Sequence, residues 1–148
     1  MNVIIGTLGM VSASSVIHSI NVITGSVCSL LGKIRVTKHV YEKEIQETLI
    51  KTDIGTTLLL LGALMKEIKT EKEPVLLALR NLQNIIADID CELKEIYEKI
   101  QYNAELQFLT NWRSHDFKEN IKNLLIKVEV LEKRRAFLFE TVKLFLHE

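Results

Sequence analysis

The side chains that most often bind metal ions are scattered along this chain. Metal sites in helical proteins need His, Cys, Asp or Glu at short repeated spacings, such as a Glu-x-x-His pair on each of two helices. The histidines lie on separate segments, and none has an acidic or Cys partner at a ligand spacing. They are His18, His39, His115 and His147. We therefore predict no bound metal and no other cofactor.

Groups for hydrolysis or phosphate transfer are also missing from the sequence. The run GTLG at 6–9 lacks the Lys-Ser/Thr pair of a phosphate-binding loop, and no HExxH motif or nucleophile elbow occurs. Glu42, Glu44 and Glu47 form a carboxylate cluster, but Lys43 interleaves it, which is typical of a solvated helix face. We therefore predict that the protein is not an enzyme. Its formal net charge is zero, which predicts no general attraction to nucleic acid.

A cluster of basic side chains is the first candidate binding site. Lys33, Arg35, Lys38 and Lys43 follow directly after a long uncharged opening segment, with only Glu42 opposing them. Anionic lipid attracts such residues by about 1 kcal/mol each near a membrane surface. The cluster is therefore either a lipid-binding site or the solvated start of a helix.

The opening segment itself is the second candidate, because no Asp, Glu, Lys or Arg occurs before Lys33. It has no basic residue in front and many polar interruptions, so it resembles neither a secretory signal nor a good membrane-spanning helix. Small residues at helical spacing allow neighbouring backbones to approach closely. The candidates for such an interface are Gly6, Ser15, Ser19, Gly25 and Ser29. We expect this segment to be covered by the rest of the domain, by a second copy or by lipid.

Apolar periodicity divides the chain into four helical segments. We predict helices over about 3–31, 34–69, 74–102 and 116–147 in a single domain covering 1–148. The phase of the apolar stripe shifts near 52–55, which predicts a kink or a break there. The fold class is therefore all-α, and the default arrangement is an antiparallel four-helix bundle.

Two further expectations concern packing within this bundle. Apolar residues in the third segment follow a heptad-like seam, and its acidic residues are expected on the opposite face, between the mildly basic second and fourth segments. The uncharged run IGTTLLLLGALM at 54–65 is too short to span a membrane as a helix and is expected to lie in the core. Arg135 interrupts the last apolar stripe and is a candidate to reach the acidic third helix.

The order of these features resembles the four-helix domain of the HeLo, mixed-lineage kinase domain-like and plant resistance coiled-coil families. The matching pieces are IIGTLGMVSASSVIHSI, PVLLALRNLQNIIADIDCELKEI and LQFLTNWRSHDFKENIKNLL. In the last piece, Phe108 precedes Phe117 and then Leu124. The resemblance implies a cell-death or host-defence module that oligomerises and disrupts membranes. It also implies that Lys33, Arg35 and Lys38 meet anionic phospholipid.

Two hypotheses about function follow. The first is a self-associating helical module that binds or permeabilises anionic membranes. The second is a structural or adaptor subunit of a larger assembly, such as a virion or a multiprotein complex, that buries the uncharged helix in an interface. Cys28 and Cys91 have no CxxC partner, so a reducing compartment is expected. Both hypotheses place the protein in the cytoplasm, and the first places it at the membrane periphery.

Overall fold

The computed structural model describes residues 11–37, 43–106 and 116–146, and its regular elements are all α-helices. They are α1 (Ala13–Arg35), α2 (Lys43–Thr52), α3 (Ile54–Met65), α4 (Glu73–Glu105) and α5 (Lys118–Lys143). Helices α2 and α3 follow one another around a bend, so the described chain has four helices, one of them bent. The prediction of an all-α protein is confirmed.

Helix α1 begins later than the sequence predicted. Ser12 has an extended backbone, and its side chain accepts a hydrogen bond from the backbone N–H of Ser15. A serine in this position stabilises a helix start by satisfying one of the unpaired N–H groups of the first turn. The predicted continuous helix from residue 3 is therefore wrong at 11–12, and residues 3–10 lie outside the described residues. At its other end α1 continues to Arg35, four residues beyond the predicted end.

The bend between α2 and α3 lies at a single residue, Asp53, where the sequence predicted a kink or break. Asp53 adopts the left-handed conformation, with φ 46° and ψ 47°. Its N–H still bonds the Leu49 carbonyl oxygen at 3.0 Å, and its own carbonyl oxygen accepts from the Thr57 N–H at 3.2 Å. Asp tolerates this conformation better than most residues, although it is costly for any side chain with a Cβ.

Glycine at position 53 is therefore expected to stabilise the fold. Asp53 makes no side-chain capping bond to α3, so Asp53→Gly loses no such contact and relieves the backbone cost. We expect a gain of up to about 1 kcal/mol for Asp53→Gly and a loss of about 1–2 kcal/mol for Asp53→Val. The midpoints of urea unfolding curves measure both changes in the free energy of unfolding, provided that the dependence of that free energy on urea concentration is the same in each variant. Equal midpoints for the two variants would contradict the left-handed bend.

Helix α4 is the centre of the fold, and its predicted apolar seam is confirmed. Each seam residue is buried, and they are Val75, Leu79, Leu82, Ile86, Ile89, Leu93, Ile96 and Ile100. Local turns precede α4 and α5. Thr70 Oγ1 accepts from the Lys72 N–H, and Asp116 Oδ1 accepts from the Lys118 N–H.

Side-chain contacts fix the relative directions of the helices. Helix α1 runs parallel to α4, since contacts from its start, middle and end reach successively later residues of α4. Helix α5 runs antiparallel to α4, because Asn120 meets Glu92 while Arg134 meets Asn81. The main neighbours of α4 are therefore α1 and α5. The prediction based on charge placed α4 beside the fourth helix correctly, but its other main neighbour is the first helix and not the second.

Candidate membrane or partner interface

The inner face of α1 is buried, and three polar contacts hold it along α4 and the segment just before α4. Glu71 accepts a hydrogen bond at 2.8 Å from the Ala13 N–H at the start of α1. Ser19 Oγ accepts from Gln83 Nε2 at 2.6 Å. The third contact joins the Ser26 hydroxyl to Asp90 Oδ1 at 2.7 Å. We call these three contacts the α1 clasps.

The outer face of α1 is open to solvent and carries no Asp, Glu, Lys or Arg before the last turn. Its exposed stripe consists of Ser15, His18, Val22, Gly25 and Ser29. Val22 is 61% exposed, and a Cβ built on Gly25 would meet no atom within 4 Å. The rest of the domain, one of the three predicted covers, therefore covers only the inner side of this helix.

The five predicted interface residues separate into three groups. Ser15, Gly25 and Ser29 lie together on the exposed stripe. Ser19 is half-buried and bonded to α4, so it belongs to the clasps and not to an open surface. Gly6 lies outside the described residues. The small-residue pattern therefore locates an exposed surface, but one of its members points toward the neighbouring helix.

The outer face of α3 corrects the prediction that 54–65 is a core segment. Ile54, Leu58, Leu61 and Met65 do form part of the core. Helical spacing places the other leucines on the opposite side, where Leu59 is 64%, Leu60 57% and Leu64 41% exposed. An uncharged run on a two-sided helix therefore contributes as much to the surface as to the core, and the sequence alone did not distinguish the two sides.

These two outer faces adjoin. Helix α3 runs antiparallel to α1, with Gly55 beside Leu31 and Gly62 beside Asn21. A groove of about 390 Å³ lies between them, and its lining includes Gly25, Cys28, Leu59, Gly62 and Ala63. We call the exposed stripe of α1, together with the exposed α3 residues Leu59, Leu60, Ala63 and Leu64, the uncharged face. Exposed apolar patches of this kind on a soluble protein mark interaction sites.

The predicted basic cluster borders the uncharged face at the end of α1. Lys33 and Arg35 are exposed in the last turn, and Lys33 Nζ lies 5.7 Å from the ring centre of Tyr97. Lys43 is exposed at the start of α2 and lies 4.0 Å from a carboxylate oxygen of Glu47. Lys38 lies outside the described residues. Two of the four predicted cations are thus placed at one end of the face.

Two acidic residues of α4 are buried, although the acids of this helix were predicted to lie on the face opposite the seam. Asp90 accepts from Ser26 and pairs with Lys94 Nζ at 2.8 Å, and this hydrogen bond raises the pKa of Lys94. Glu92 accepts from Asn120 Nδ2 at 2.7 Å and from Lys127 Nζ at 2.9 Å. The sequence spacing of Asp90 and Glu92 did not predict their burial, because their hydrogen-bond partners come from the neighbouring helices α1 and α5.

The predicted cross-helix arginine is off by one residue. Arg135 pairs with Glu132 on its own helix at 2.6 Å. Its neighbour Arg134 reaches α4, where its guanidinium donates to the Asn81 carbonyl oxygen at 2.7 Å. Adjacent residues on a helix point about 100° apart, so a one-residue difference decides which side chain reaches the neighbouring helix.

Removing the Glu92 carboxylate is expected to destabilise the fold by about 3 kcal/mol. The Glu92→Ala change leaves the Lys127 ammonium and the Asn120 amide without their acceptor, and breaking a buried charge pair costs this much. Chemical denaturation measures the loss. The matched control is Glu95→Ala on the same helix, where the acid is exposed and lies 3.7 Å from Lys99. The control is expected to change stability very little, and equal losses would show that Glu92 is not an interhelical anchor.

Two helical stretches are long and apolar enough to cross a membrane, namely Ala13–Arg35 and Lys43–Met65. Length and composition alone are weak evidence, since a core helix of a soluble protein passes the same test. A core helix is mostly buried, however. In the first stretch, only 39% of the apolar 18-residue part is buried, and in the second stretch only 22% is buried.

In residues 11–37, 43–106 and 116–146, no three His, Cys, Asp or Glu side chains form a group that could hold a metal ion. The predictions of no metal, no cofactor and no catalysis stay predictions. Comparison of the chain with protein-family models, curated proteins and solved structures finds no match. The HeLo-type resemblance likewise stays a prediction.

Proposed function

We propose that this chain is a non-enzymatic antiparallel four-helix module that self-associates and binds and permeabilises anionic membranes through the uncharged face. This is the activity that the HeLo-type resemblance implies, and it places the protein in the cytoplasm and at the membrane periphery. The observation that carries the proposal is the exposed surface on α1 and α3, which faces water with few ionised groups. Lys66 is the one charged residue in the described lining of the groove between its two halves.

The energetics of the face favour transfer into lipid. Each exposed leucine or valine gains about 1.5–3 kcal/mol when it leaves water, and Val22, Leu59 and Leu60 are each more than half exposed. Outward faces of soluble helices usually carry charges that make this transfer costly. Lys33 and Arg35, at the end of the same face, add electrostatic attraction to anionic headgroups.

Membrane action requires a shift between two conformational populations. In the resting form, the α1 clasps hold α1 on α4. In the membrane form, α1 leaves α4 and inserts, and the exposed leucines of α3 meet lipid beside it. The α1 stretch has 23 residues, about 35 Å at 1.5 Å per residue, compared with about 30 Å for the hydrocarbon core. Helix α2, with its exposed charges, stays in water.

Self-association uses the small residues of the same face. Ser15, Gly25 and Ser29 lie on the exposed stripe of α1, and Gly62 and Ala63 line the groove beside it. Small side chains let another helix approach closely, which is how helices pack where lipid supplies no hydrophobic driving force. Copies that meet through this face in a membrane would form the walls of a pore.

Leakage from liposomes tests the proposal. Purified full-length protein is added at low salt to dye-filled vesicles of phosphatidylcholine alone or with phosphatidylserine, and binding is followed by co-sedimentation. We expect leakage and co-sedimentation with the anionic vesicles and little of either with the neutral ones. Protein that stays in the supernatant and releases no dye from anionic vesicles contradicts the proposal.

Reversing the basic cluster is expected to weaken vesicle binding while the protein stays folded. The variant is Lys33→Glu, Arg35→Glu and Lys38→Glu, and each lost attraction is about 1 kcal/mol, so binding should fall by at least about a hundredfold. The matched control makes the same charge change on α5, at the exposed residues Lys118, Lys122 and Lys133. If both triple variants bind equally weakly, net charge and not this cluster is responsible.

The alternative function is a structural or adaptor subunit, and a second apolar surface favours it. On α5, Ile126 is 51% and Phe137 is 64% exposed, away from the uncharged face. A subunit held on two sides in an assembly would show two such surfaces. Size-exclusion chromatography with light scattering separates the readings, because an obligate oligomer without vesicle binding supports this function and a stable monomer removes it.

A further inference from the structure

A second groove, which we call the elbow groove, lies where the end of α1 meets the bend between α2 and α3. Its volume is about 590 Å³. The apolar part of its lining is Leu31, Leu49, Ile50, Ile54 and Leu59. This volume falls within the range of about 300–1,000 Å³ that is usual for sites that bind small molecules.

The bend at Asp53 produces the groove. The left-handed residue turns α3 away from the direction of α2, so Leu49 before the bend and Ile54 after it line the same hollow. Leu31 of α1 lies at its base, where it comes within 3.5 Å of the position a Cβ would take at Gly55. Leu59 is largely exposed. The groove is therefore an open apolar trough in which Leu31 and Ile54 form the buried base and Ile50 and Leu59 are exposed to water.

One end of the trough suits an anion. Arg35 lines it, and it is the one basic side chain among the described lining residues. The first turn of α3, with Ile54 and Gly55, also lines the groove and contains no acidic residue. Asp53 is the one acid of the described lining, and its carboxylate makes no capping bond to α3.

We propose that the elbow groove binds a free single-chain anionic lipid, with the acyl chain along Leu31, Leu49 and Leu59 and the anionic head at Arg35. The guanidinium offers charge-assisted hydrogen bonds to a phosphate or carboxylate, and the trough removes the chain from water. This ligand is a lipid monomer in solution, so the site goes beyond membrane binding and does not depend on it.

Protection of Cys28, which lines both grooves, tests the site together with the Arg35 variant described below. Cys28 is half-buried in the lining, and burial raises the pKa of its thiol. The exposed Cys91 is replaced by serine. The rate at which a maleimide alkylates Cys28 is then measured with and without dodecyl phosphate, which is kept below its critical micelle concentration. We expect alkylation to slow by about tenfold or more at saturation, because bound lipid covers the sulfur. No protection by dodecyl phosphate overturns the site.

Two control ligands test the ligand class. Inorganic phosphate lacks the chain, whose buried methylene groups contribute about 0.8 kcal/mol each. Dodecyl maltoside lacks the charge, and one charge-assisted hydrogen bond accounts for about tenfold in affinity. Each is therefore expected to protect only at a concentration at least about tenfold higher. Equal protection by dodecyl maltoside overturns the anionic class. Equal protection by inorganic phosphate overturns the acyl-chain part of the proposal.

Two substitutions in the lining should change affinity in opposite directions. Arg35→Gln is expected to weaken protection by about tenfold, whereas Asp53→Asn, which tolerates the same backbone conformation, should strengthen it. The exposed Lys69→Gln and Glu67→Gln are the charge-matched controls and should leave protection unchanged. If Arg35→Gln binds like the parent protein, the proposed head position is wrong. Because no bilayer is present, this assay fails or succeeds separately from liposome leakage.

Discussion

The double substitution Val22→Glu and Leu60→Glu is expected to abolish binding to anionic vesicles while the protein stays folded. Val22 is 61% and Leu60 57% exposed, one on each helix of the uncharged face, and neither lines the elbow groove. Each change removes about 1.5–3 kcal/mol of apolar transfer and adds a carboxylate that lipid disfavours. Together they should lower vesicle affinity by at least about a hundredfold. Co-sedimentation and dye release measure the loss, and thermal melting by circular dichroism verifies the fold.

The matched control places the same two charges on α5. Ile126→Glu and Phe137→Glu replace residues of similar exposure, 51% and 64%, on the other apolar surface. The control is expected to retain vesicle binding. If the α5 pair abolishes binding and the Val22/Leu60 pair does not, the membrane-binding surface lies on α5 and the uncharged face has another role.

Asp at position 89 is expected to unfold the protein. Ile89 is fully buried in the middle of the α4 seam, between the α1 and α5 sides. Ile89→Asp loses the packing of a large aliphatic side chain and places an unpaired charge in the core, for a combined cost of at least about 5 kcal/mol. This is comparable with the whole stability of many domains. Circular dichroism should show loss of the cooperative melting transition, and Leu124→Asp on α5 should behave in the same way.

Asn84→Asp is the matched control for this prediction. Asn84 lies on the same helix, five residues before Ile89, and is exposed. It adds the same charge to α4 without entering the core, so its melting temperature should lie within a few degrees of that of the parent protein. A folded Ile89→Asp variant that melts alongside this control would show that the α4 seam is not the core.

The parts of the fold that depend on local pattern could be predicted from the sequence. The a/d spacing of α4 identified eight of its thirteen buried residues, because a long periodic seam must face neighbours on a helix. The bend was predicted at 52–55, where the stripe changes phase, and it lies at Asp53. The start of α1 was not predicted, because Ser12, which caps the helix, lies within a run of apolar and small residues that has helical spacing throughout.

The parts that depend on packing between helices could not be predicted in this way. Glu92 has the spacing of a surface acid, and only the approach of Asn120 and Lys127 from α5 explains its burial. All the leucines of α3 were predicted to lie in the core, because hydropathy does not show which side of a helix packs against a neighbour. Ser19 shares the spacing of Ser15 and Gly25 but faces Gln83. Three of the predicted interface residues are exposed on α1, and their role in an interface stays a prediction. The exposed leucines of α3 were not predicted from the sequence.

The environment of Val22 in the presence of membranes is the most direct test of the central claim, which is that the uncharged face leaves water for lipid. An environment-sensitive dye is attached at Val22→Cys, in protein that also carries Cys28→Ala and Cys91→Ser, and its emission is recorded with phosphatidylserine-containing vesicles. We predict a blue shift and quenching by lipids that carry a quencher within the acyl chain. A dye that keeps its emission in water and is not quenched, on protein that remains folded, would contradict the claim.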